Sequence, residues 1–286
     1  MKKIALVGLG RRGQSLLADA ILPACEDYNL EVAAVYDAYA DRVEDAAKIV
    51  LEKTGKEPLK ADSYETILAD PQIAAVIIST AWESHIPMSI AAMKAGKPVA
   101  MEVGGAYNIE DCWKLVDTYE QTGVPCMFLE NCCYGKYETM VLNMVHQGIL
   151  GEIVHCSGGY HHDVREEVAN GEKDRHYRLR NYINRNCENY PTHELGPIAK
   201  VLDINNGNRM VSLTSTASCA KGLHAYILEK EGADSPLASQ EFMQGDIVTT
   251  VIKCAKGQTI TLTLDTTLPR AYNRCFTVRG PKGGYF

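Results

Sequence analysis

The first part of the chain, about 130 residues, alternates short apolar runs with longer amphipathic stretches. Five apolar runs have the length of strands: residues 3–7, 31–36, 74–79, 98–102 and 125–130. Between them lie stretches with helical spacing: residues 14–25, 41–54, 85–95 and 109–121. Because strands buried on both faces are almost continuously apolar and need crossover helices between them, this alternation predicts an α/β domain with a parallel sheet covered by helices.

The pattern changes after residue 131. A predicted helix at 134–147 is followed by strand-like runs and one further helix, at 193–202; the runs are residues 152–158, 210–218, 247–254, 259–265 and 275–279. Polar and apolar residues alternate along 259–265, which is typical of an antiparallel strand with one solvated face. We therefore predict two domains, 1–131 and 132–286, the second an α+β domain with an open, mainly antiparallel sheet.

Composition narrows the class of protein without identifying it. The chain has 286 residues, 46% of them hydrophobic, and a net charge of −7 with a pI of about 5.7. This acidic balance offers no basic surface for nucleic acid or an anionic membrane. No apolar stretch has the length of a membrane span, and the first apolar run breaks at Gly8 before Arg11 and Arg12. We therefore expect neither a membrane anchor nor a secretion signal, and a cytoplasmic location.

Ten cysteines are scattered along the chain, apart from the adjacent pair Cys132-Cys133. No C-x-x-C spacing occurs, which argues against a zinc knuckle and against a redox motif. The run His161-His162-Asp163 also lacks the spacing of a zinc ligand set. We expect reduced thiols and no metal site.

A glycine motif indicates the chemistry of the first domain. Gly8-Leu9-Gly10-Arg11-Arg12-Gly13 matches G-x-G-x-x-G, and it follows a predicted strand and opens a predicted helix, as the motif requires. Gly8 permits the tight turn, Gly10 lets the backbone approach a pyrophosphate, and Gly13 lets helix and strand pack closely. The motif predicts a Rossmann dinucleotide-binding domain; the alternative is a glycine turn in a Rossmann fold that binds nothing.

Acidic and aromatic residues follow other predicted strands. Asp37 ends the second strand, where a carboxylate accepts hydrogen bonds from the adenosine ribose and repels a 2′-phosphate, so NAD is favoured over NADP. The segments Trp82-Glu83-Ser84-His85 and Glu102-Val103 follow later strands, at the sheet edge where open α/β sheets bind ligands. Trp82 is interpreted either as a cofactor contact or as a hydrophobic residue at the rim.

The second domain contains a segment rich in His, Tyr and Arg that we predict to be loop. It comprises Tyr160-His161-His162-Asp163, residues 175–185 and Tyr190-Pro191-Thr192-His193. Histidines and tyrosines can exchange protons with a sugar hydroxyl and arginines can hold polar groups, although a solvated, mobile loop has the same composition. His193 is the strongest candidate base, because Thr192 is the predicted N-cap of helix 193–202 and the helix dipole would keep the imidazole neutral.

These features together resemble the glucose–fructose oxidoreductase / inositol 2-dehydrogenase (Gfo/Idh/MocA) family. The resemblance lies in the glycine motif, in Glu102 at the end of the predicted strand 98–102 and in the open-sheet domain that follows. Ordinary dehydrogenases of that family carry Glu-Lys-Pro after the corresponding strand, and the lysine serves the substrate hydroxyl. This chain has Glu102-Val103-Gly104, a departure that argues against a plain sugar dehydrogenase.

A more specific set of motifs covers almost the whole chain: Glu130-Asn131-Cys132-Cys133-Tyr134-Gly135, residues 148–155, Gly158-Gly159-Tyr160, residues 190–197, and residues 265–267 with Pro269-Arg270. This set is similar to glycoside hydrolase family 109, whose members are NAD-dependent α-N-acetylgalactosaminidases. Two features depart from the family. Glu194 stands where the family usually has glycine, and the sequence stops at Phe286, before family members usually end.

The resemblance implies roles for individual residues. Besides the glycine motif (Gly8, Gly10, Arg11, Gly13), the residues placed on NAD are Arg12, Asp37, Trp82, Glu83, Ser84, His85, Glu102, Val103, Asn131 and Tyr190. The residues placed on the sugar are Tyr160, Arg178, Tyr190, Pro191, Thr192, His193 and Tyr272.

The resemblance also implies the chemistry. Hydride leaves C3 of the sugar for NAD while a base, for which His193 is the candidate, removes the hydroxyl proton. The ketone acidifies the C2 hydrogen, a second base removes it, and the glycosidic oxygen departs by elimination; Tyr160, Tyr190 and nearby histidines are candidates for this base. Water adds to the enone and the hydride returns to C3. Most glycosidases use two carboxylates instead, and no acidic pair in the second domain suggests one.

Two other functions stay open at this point. One is a net oxidoreductase that acts on a sugar or cyclitol and releases NADH, and the other is a non-catalytic NAD-binding protein. The expected partners are a small carbohydrate and, through the open sheet, a second copy of the chain. Neither nucleic acid nor a membrane is expected.

Overall fold

The structure is a computed structural model that describes residues 1–286. The chain divides into two units, Met1–Leu129 and Glu130–Phe286. The division falls two residues before the boundary that the sequence predicts, so that Asn131 belongs to the second unit.

Six parallel strands form the sheet of the first unit: β1 (Lys2–Val7), β2 (Leu30–Tyr36), β3 (Leu59–Lys60), β4 (Ile73–Ile78), β5 (Val99–Met101) and β6 (Cys126–Phe128). Their order is β3-β2-β1-β4-β5-β6, and every neighbouring pair is parallel. This is the Rossmann order, in which the direction of winding reverses between β1 and β4. The predicted α/β class is confirmed. The sequence prediction missed the two-residue β3.

Helices connect these strands. They are α1 (Arg11–Ser15), which continues through a π-helical turn (Leu16–Ile21) into α2 (Leu22–Ala24), then α3 (Ala40–Thr54), α4 (Tyr64–Ala69), α5 (Trp82–Lys94) and α6 (Ile109–Thr122). Residue chemistry sets several of their ends. Gly55 ends α3 in the left-handed conformation, at a φ of 70°. The Asn108 side chain accepts a hydrogen bond from the Asp111 N–H at the start of α6. Helix α4, which was not predicted, starts after Ser63 in the same way.

Alternate residues of the strands face opposite sides of this sheet. On one side, Ala5, Val7 and Ile78 are buried in one cluster, and on the other Ile4 and Leu6 are buried in a second. Both faces of the central strand are therefore covered, which explains why the strand is continuously apolar in sequence. Full burial of each large aliphatic side chain stabilises the fold by about 1.5–3 kcal/mol.

A second six-stranded sheet forms the core of the second unit: β7 (His155–His161), β8 (Met210–Ala217), β9 (Ile247–Cys254), β10 (Thr259–Asp265), β11 (Thr277–Gly280) and β12 (Gly283–Tyr285). The order is β12-β11-β7-β10-β9-β8. Only β7 and β10 pair in parallel, and the other four pairs are antiparallel. The predicted open, mainly antiparallel sheet is confirmed as a mixed sheet with one parallel pair.

The helices of the second unit correct one prediction. After a 3-10 turn (Asn131–Tyr134) come α7 (Lys136–His146), α8 (Arg165–Ala169), α9 (Arg178–Asn184), α10 (Thr192–Val201) and α11 (Gly222–Glu231). The polar segment between Tyr160 and Tyr190 is therefore not the loop that its composition suggested. Helices α8 and α9 bury Val168, Leu179 and Tyr182 in a small cluster with α11. A helix of five or seven residues needs only one or two apolar side chains for this, too few to give a periodic pattern.

The second sheet has one covered and one exposed face over β9. Ile252, Ile260 and Leu262 pack with Ile198 and Val201 of α10 in the main core of this unit. The alternate residues of β9 are exposed, as the period of two predicts. No helix in the chain is long and apolar enough to cross a membrane.

Candidate functional site

The glycine motif forms a turn between β1 and α1 that the backbone packing makes intolerant of side chains. Gly8 has a φ of +89°, and a Cβ there would lie 2.4 Å from the Ser79 carbonyl carbon. A Cβ on Gly13 would lie 1.9 Å from the Gly8 oxygen. These two glycines are therefore required by the fold itself, the first for its conformation and the second for the close approach of helix and strand.

Gly10 differs from the other two glycines of the motif. Its backbone is extended, with a φ of −66°, and a Cβ there would meet only the Arg42 guanidinium, at 3.4 Å. Nothing in the protein backbone requires glycine at this position. Its missing side chain leaves the start of α1 open to a close ligand, which is the requirement of a pyrophosphate. The residues of this turn thus fit a dinucleotide.

Asp37, at the end of β2, is bonded to the glycine turn. Its Oδ2 accepts a hydrogen bond from the Leu9 N–H at 2.6 Å, and its Oδ1 accepts one from the Tyr39 N–H at 3.0 Å. Arg42 lies 3.9 Å from the same carboxylate and stacks on the Tyr39 ring, 4.8 Å from its centroid. The sequence prediction missed Arg42, whose positive charge accompanies the acidic group expected to meet the adenosine ribose.

Arg12 and Glu102 join the segments that follow β1 and β5. The Arg12 Nε donates to Glu102 Oε1 at 2.8 Å, and Glu102 Oε2 accepts from the Val103 N–H at 3.1 Å. Glu102 and Val103 are buried, whereas Arg11 and Arg12 are exposed. Two of the three acidic residues predicted to contact the cofactor in this unit, Asp37 and Glu102, therefore lie directly after parallel strands.

The segment Trp82-Glu83-Ser84-His85 forms the first turn of α5, so the helix starts three residues before the predicted position. Glu83 is exposed and Ser84 is half-buried. His85 is buried, its Nε2 lies 3.0 Å from the Thr80 carbonyl oxygen, and burial lowers its pKa. Trp82 is 2% exposed, so its ring packs inside the protein and leaves little surface for either a rim position or a cofactor contact.

Gly104 explains why Glu-Lys-Pro is absent after β5. Its φ is +92°, and a Cβ there would lie 2.4 Å from the Trp82 Nε1. Proline is restricted to a φ near −65°, so it cannot occupy this position. The departure at Val103-Gly104 is therefore coupled to the buried Trp82 and is part of how this unit packs.

In the second unit, four of the predicted residues form one cluster of rings. The Tyr160 ring lies 4.2 Å from Tyr190, 5.6 Å from His193 and 6.3 Å from Tyr272, measured between centroids. Tyr190 lies 4.9 Å from His193. The Tyr160 hydroxyl lies 2.7 Å from Nδ1 of His162, which completes the cluster. We call these five residues the ring cluster. They come from β7, the segment before α10, α10 itself and the segment before β11.

Arg178 brings a buried positive charge to the ring cluster. It opens α9, is 6% exposed, and its guanidinium lies 5.1 Å from the Tyr190 centroid and 5.9 Å from the Tyr160 centroid. Glu167 of α8 pairs with its Nε at 2.6 Å. The unexpected helices α8 and α9 thus have a role in the site, because they hold this ion pair against the rings.

His193 has a carboxylate partner that the sequence did not reveal. Its Nδ1 lies 2.8 Å from Oε1 of Glu130, which is 5% exposed. Burial raises the pKa of Glu130, but the hydrogen bond and charge of His193 outweigh burial, so the pKa is lowered overall. The predicted N-cap is wrong: α10 begins at Thr192, Pro191 occupies the N-cap position, and no side chain caps the helix. The dipole argument for His193 is replaced by contact with a charged group.

Glu130, Cys132 and His193 place ligand atoms within 4.8 Å of one another, a spacing that could hold a metal ion. Burial raises the pKa of the Cys132 thiol to about 12, whereas a metal binds the thiolate. The 2.8 Å contact between His193 and Glu130 has the length of a hydrogen bond. Glu130 and His193 are therefore a hydrogen-bonded pair.

Glu194, the residue after His193, belongs to a buried cluster with Glu138 and Arg274. Glu194 is 1% exposed, and its Oε1 lies 3.5 Å from the Arg274 Nε, while Arg274 also pairs with buried Glu138. Burial raises the pKa of Glu194 to about 9, and Arg274 offsets only part of this. The carboxyl group is therefore protonated at neutral pH.

Other predicted residues are not members of the ring cluster. His161 follows Tyr160 in the same strand and points to the opposite face, towards Gly159. Asp163 pairs with Arg165 at 2.7 Å, so the run His161-His162-Asp163 does not act as one group. Asn131 is exposed at the start of the 3-10 turn, and Pro191 and Thr192 are half-buried.

A cavity of about 490 Å³ opens in the second unit, between α10 and the outer strands of the sheet. Pro191, Leu195 and Leu213 line it with Glu188 and Thr250. Pro191 is the one predicted sugar residue among its lining residues, and none of the residues of the ring cluster lines it.

Known protein families match both units. Residues 134–286 match the family described as "Glycosyl hydrolase 109, C-terminal domain", and residues 2–129 match "Oxidoreductase family, NAD-binding Rossmann fold". An alpha-N-acetylgalactosaminidase of Tannerella forsythia is 42% identical over 77% of this chain and 51% of its own length. An alpha-N-acetylgalactosaminidase of Bacteroides fragilis is 37% identical over 99% of this chain and 67% of its own length. The chain thus spans about half to two thirds of the length of these relatives.

Solved structures show the same fold. A scyllo-inositol dehydrogenase from Lactobacillus casei, solved with bound NAD(H) and scyllo-inositol, has a TM-score of 0.73 at 16% identity, over 100% of this chain and 75% of its own. A myo-inositol 2-dehydrogenase from Lactobacillus plantarum also has a TM-score of 0.73 at 16% identity, over 99% and 75% of the two chains. At this identity the likeness concerns the fold.

Proposed function

Because the chain belongs to glycosyl hydrolase family 109, we propose that it is an NAD-dependent glycosidase that acts on α-N-acetylgalactosaminides. The observation that carries the proposal is the ring cluster of the second unit, in which a histidine bonded to a carboxylate lies among tyrosines and beside a buried arginine. The relatives named alpha-N-acetylgalactosaminidase support the substrate class.

The carboxylates that contact His193 and Arg178 are already engaged, which disfavours their use as the pair of the common two-carboxylate mechanism. Glu130 accepts a hydrogen bond from His193, and Glu167 is paired with Arg178. A general acid and a nucleophile or base would need two carboxyl groups that face the glycosidic bond. Imidazole and phenol groups suit proton transfers at sugar carbons and hydroxyls instead.

In the proposed mechanism, the residues that hold the cofactor are the glycine turn, Asp37 and the Arg12–Glu102 pair, with NAD rather than NADP as the proposed form. When bound, NAD would supply a reversible hydride acceptor for C3 of the sugar. His193 takes the proton of the C3 hydroxyl on Nε2, since its Nδ1 faces Glu130. Arg178 binds polar groups of the sugar through its charge.

The second proton transfer, from C2, is assigned to the tyrosines of the ring cluster. Burial raises the pKa of Tyr160, so this phenol is neutral at rest and needs an acceptor before it can act as a base. His162 lies 2.7 Å from its hydroxyl, and burial lowers the pKa of His162. A neutral imidazole at this distance can accept the phenol proton as Tyr160 takes the proton from C2. Tyr190 is the alternative base.

A net sugar or cyclitol dehydrogenase is the second candidate, and the fold of the solved inositol dehydrogenases favours it. The residues after β5 weigh against it. Gly104 excludes proline by its φ of +92°, and Val103 has no group that could serve a substrate hydroxyl.

The test uses p-nitrophenyl α-N-acetylgalactosaminide and the purified protein without added NAD. We expect nitrophenol to be released with no accumulation of NADH, because the hydride returns to the sugar in each turnover. The control is the same incubation with the p-nitrophenyl β-anomer. Steady formation of NADH with the free sugar would contradict the glycosidase and support the dehydrogenase.

We also propose a cytoplasmic location and self-association of the chain. All ten cysteines are free thiols, as in most proteins of reducing compartments. Val211 and Leu213 of the edge strand β8 are exposed and offer an apolar surface to a second copy. Sedimentation velocity tests self-association, and a monomer at all concentrations would contradict it.

A further inference from the structure

Two hydrogen bonds converge on one oxygen of Glu130. Its Oε1 accepts from the Cys132 N–H at 3.0 Å and is 2.8 Å from Nδ1 of His193. The first bond caps the 3-10 turn that begins at Asn131. The carboxylate is therefore fixed by the backbone of this turn, independently of the histidine that it meets.

Helix α10 has a glycine where the Glu130 side chain packs against it. Gly196 lies three residues after His193, on the same face of the helix. A Cβ on Gly196 would lie 3.0 Å from the Cγ of Glu130 and 2.8 Å from the Sγ of Cys133. A side chain at this position would push the 3-10 turn away from the helix and lengthen the contact between Glu130 and His193.

An ionised carboxylate can only accept hydrogen bonds, so the proton between the two groups belongs to Nδ1 of His193. In the neutral ring the other nitrogen, Nε2, then carries a lone pair. We propose that Glu130 is a positioning residue that holds His193 in the Nδ1–H tautomer and stabilises the charged ring once Nε2 has accepted a proton from the substrate. This inference rests on the proposed function for the identity of that proton.

The proposed role requires the negative charge of Glu130 opposite the His193 ring. Replacing Glu130 by glutamine preserves its size and one acceptor oxygen, but removes the negative charge opposite the ring. Because the Cys132 N–H donates to the same oxygen that faces Nδ1, the amide keeps its own oxygen on that side, and the Nδ1–H tautomer is retained without the charge. A role limited to packing would tolerate this change.

The experiment compares the wild type with Glu130→Gln and Glu130→Asp in two measurements. ¹⁵N NMR of the resting full-length protein reports the tautomer of His193, whose signals are assigned by their loss in His193→Ala. We expect Nδ1–H in the wild type and in both variants, because each keeps an oxygen that can accept from Nδ1–H. We also expect kcat for nitrophenol release to fall about 10²- to 10⁴-fold in Glu130→Gln with little change in KM, and Glu130→Asp to recover part of the loss.

Glu138→Gln is the matched control. It removes another carboxylate that is 5% exposed and ion-paired with an arginine, and should lower the thermal stability without altering the His193 signals. A wild-type His193 with its proton on Nε2, or an unchanged kcat in a folded Glu130→Gln, would overturn the inference.

The NMR measurement does not depend on turnover. If the wild type releases no nitrophenol while the tautomers behave as expected, the proposed function fails and the positioning role of Glu130 stands. If activity is lost with EDTA and restored by zinc, the trio Glu130, Cys132 and His193 holds a metal ion, and the hydrogen-bonding role is wrong.

Discussion

The candidate cofactor site of the first unit and the ring cluster of the second unit are built from different chemical groups. In the first unit, the essential elements are backbone: two glycines whose added Cβ atoms would lie 2.4 Å or less from other backbone atoms. In the second unit, the essential elements are buried side chains, with rings 4–6 Å apart and a carboxylate hydrogen-bonded to a histidine at 2.8 Å. The backbone site should therefore fail when volume is added, and the side-chain site should fail when a charge or a proton acceptor is removed.

The largest expected effect is a loss of catalysis that leaves cofactor binding nearly unchanged. His193→Ala should lower kcat for nitrophenol release about 10²- to 10⁴-fold, because the base for the first proton transfer is lost. NAD affinity, measured by calorimetry, should change little, since the glycine turn lies in the other unit. The control is His146→Ala, which removes an exposed histidine at the end of α7. Equal loss of NAD binding in His193→Ala would remove the distinction between the two regions.

Added volume at the glycine turn should have the next largest effect. Gly13→Ala puts a Cβ 1.9 Å from the Gly8 oxygen, and the forced shift should cost about 1–3 kcal/mol of unfolding free energy, together with NAD binding. Gly10→Ala is the matched variant, because its Cβ would meet only Arg42, at 3.4 Å.

Gly10→Ala should keep the wild-type melting temperature and lose most of its NAD affinity. Chemical denaturation and calorimetry of the two variants provide the measurement. A stable Gly10→Ala protein with full NAD affinity would show that no ligand approaches this backbone.

Removal of a buried carboxyl should have an effect of similar size on stability, one that depends on pH. The unfolded chain ionises Glu194 near its ordinary pKa of 4.5, and the folded chain only near 9. Between these values the unfolded state binds fewer protons, so the free energy of unfolding falls as the pH rises. Glu194→Gln removes this slope and should stabilise the protein by about 1–3 kcal/mol at pH 8 relative to pH 5.

Urea denaturation at pH 5 and pH 8 measures the effect of Glu194→Gln. Glu44→Gln, at an exposed surface ion pair with Lys60, should show no such difference between the two pH values. Destabilisation by Glu194→Gln at pH 8 would mean that the folded protein holds Glu194 as a charged partner of Arg274.

The smallest expected effect concerns the choice of dinucleotide. Arg42 lies 3.9 Å from Asp37, so its charge partly offsets the repulsion between that carboxylate and a 2′-phosphate. Arg42→Ala should weaken NADP binding several-fold, about 1 kcal/mol, and NAD binding less. Lys48→Ala, at an exposed position of the same helix α3, is the control. Stronger NADP binding in Arg42→Ala would contradict this account of the charges.

The difference between the two regions also determines what could be predicted from the sequence. The glycine motif, Asp37 and the strand that precedes each are local, so their order in the chain already places them at one edge of a parallel sheet. Strand β3 and helix α4 have two and six residues, too few to show a periodic pattern. The burial of Trp82 was not predictable either, because it depends on the positive φ of Gly104, more than twenty residues later.

The ring cluster depends on contacts between distant segments. Glu130 and His193 are 63 residues apart, and no spacing rule relates them. Tyr160, Tyr190 and His193 could be selected as candidates by residue type and family resemblance, but their mutual distances arise from the packing of β7 against α10. The incorrect loop prediction for the segment after Tyr160 has the same origin, since α8 and α9 are stabilised by contacts with α11.

Isotope exchange tests the redox mechanism most directly. When the α-N-acetylgalactosaminide is cleaved in D₂O, removal and return of the C2 proton should leave one deuterium at C2 of the released sugar. C3 should carry none, because its hydride is kept by the cofactor and returned. Mass spectrometry and proton NMR of the product read both positions. A cleaved sugar with ordinary hydrogen at C2 would contradict elimination and point to direct hydrolysis.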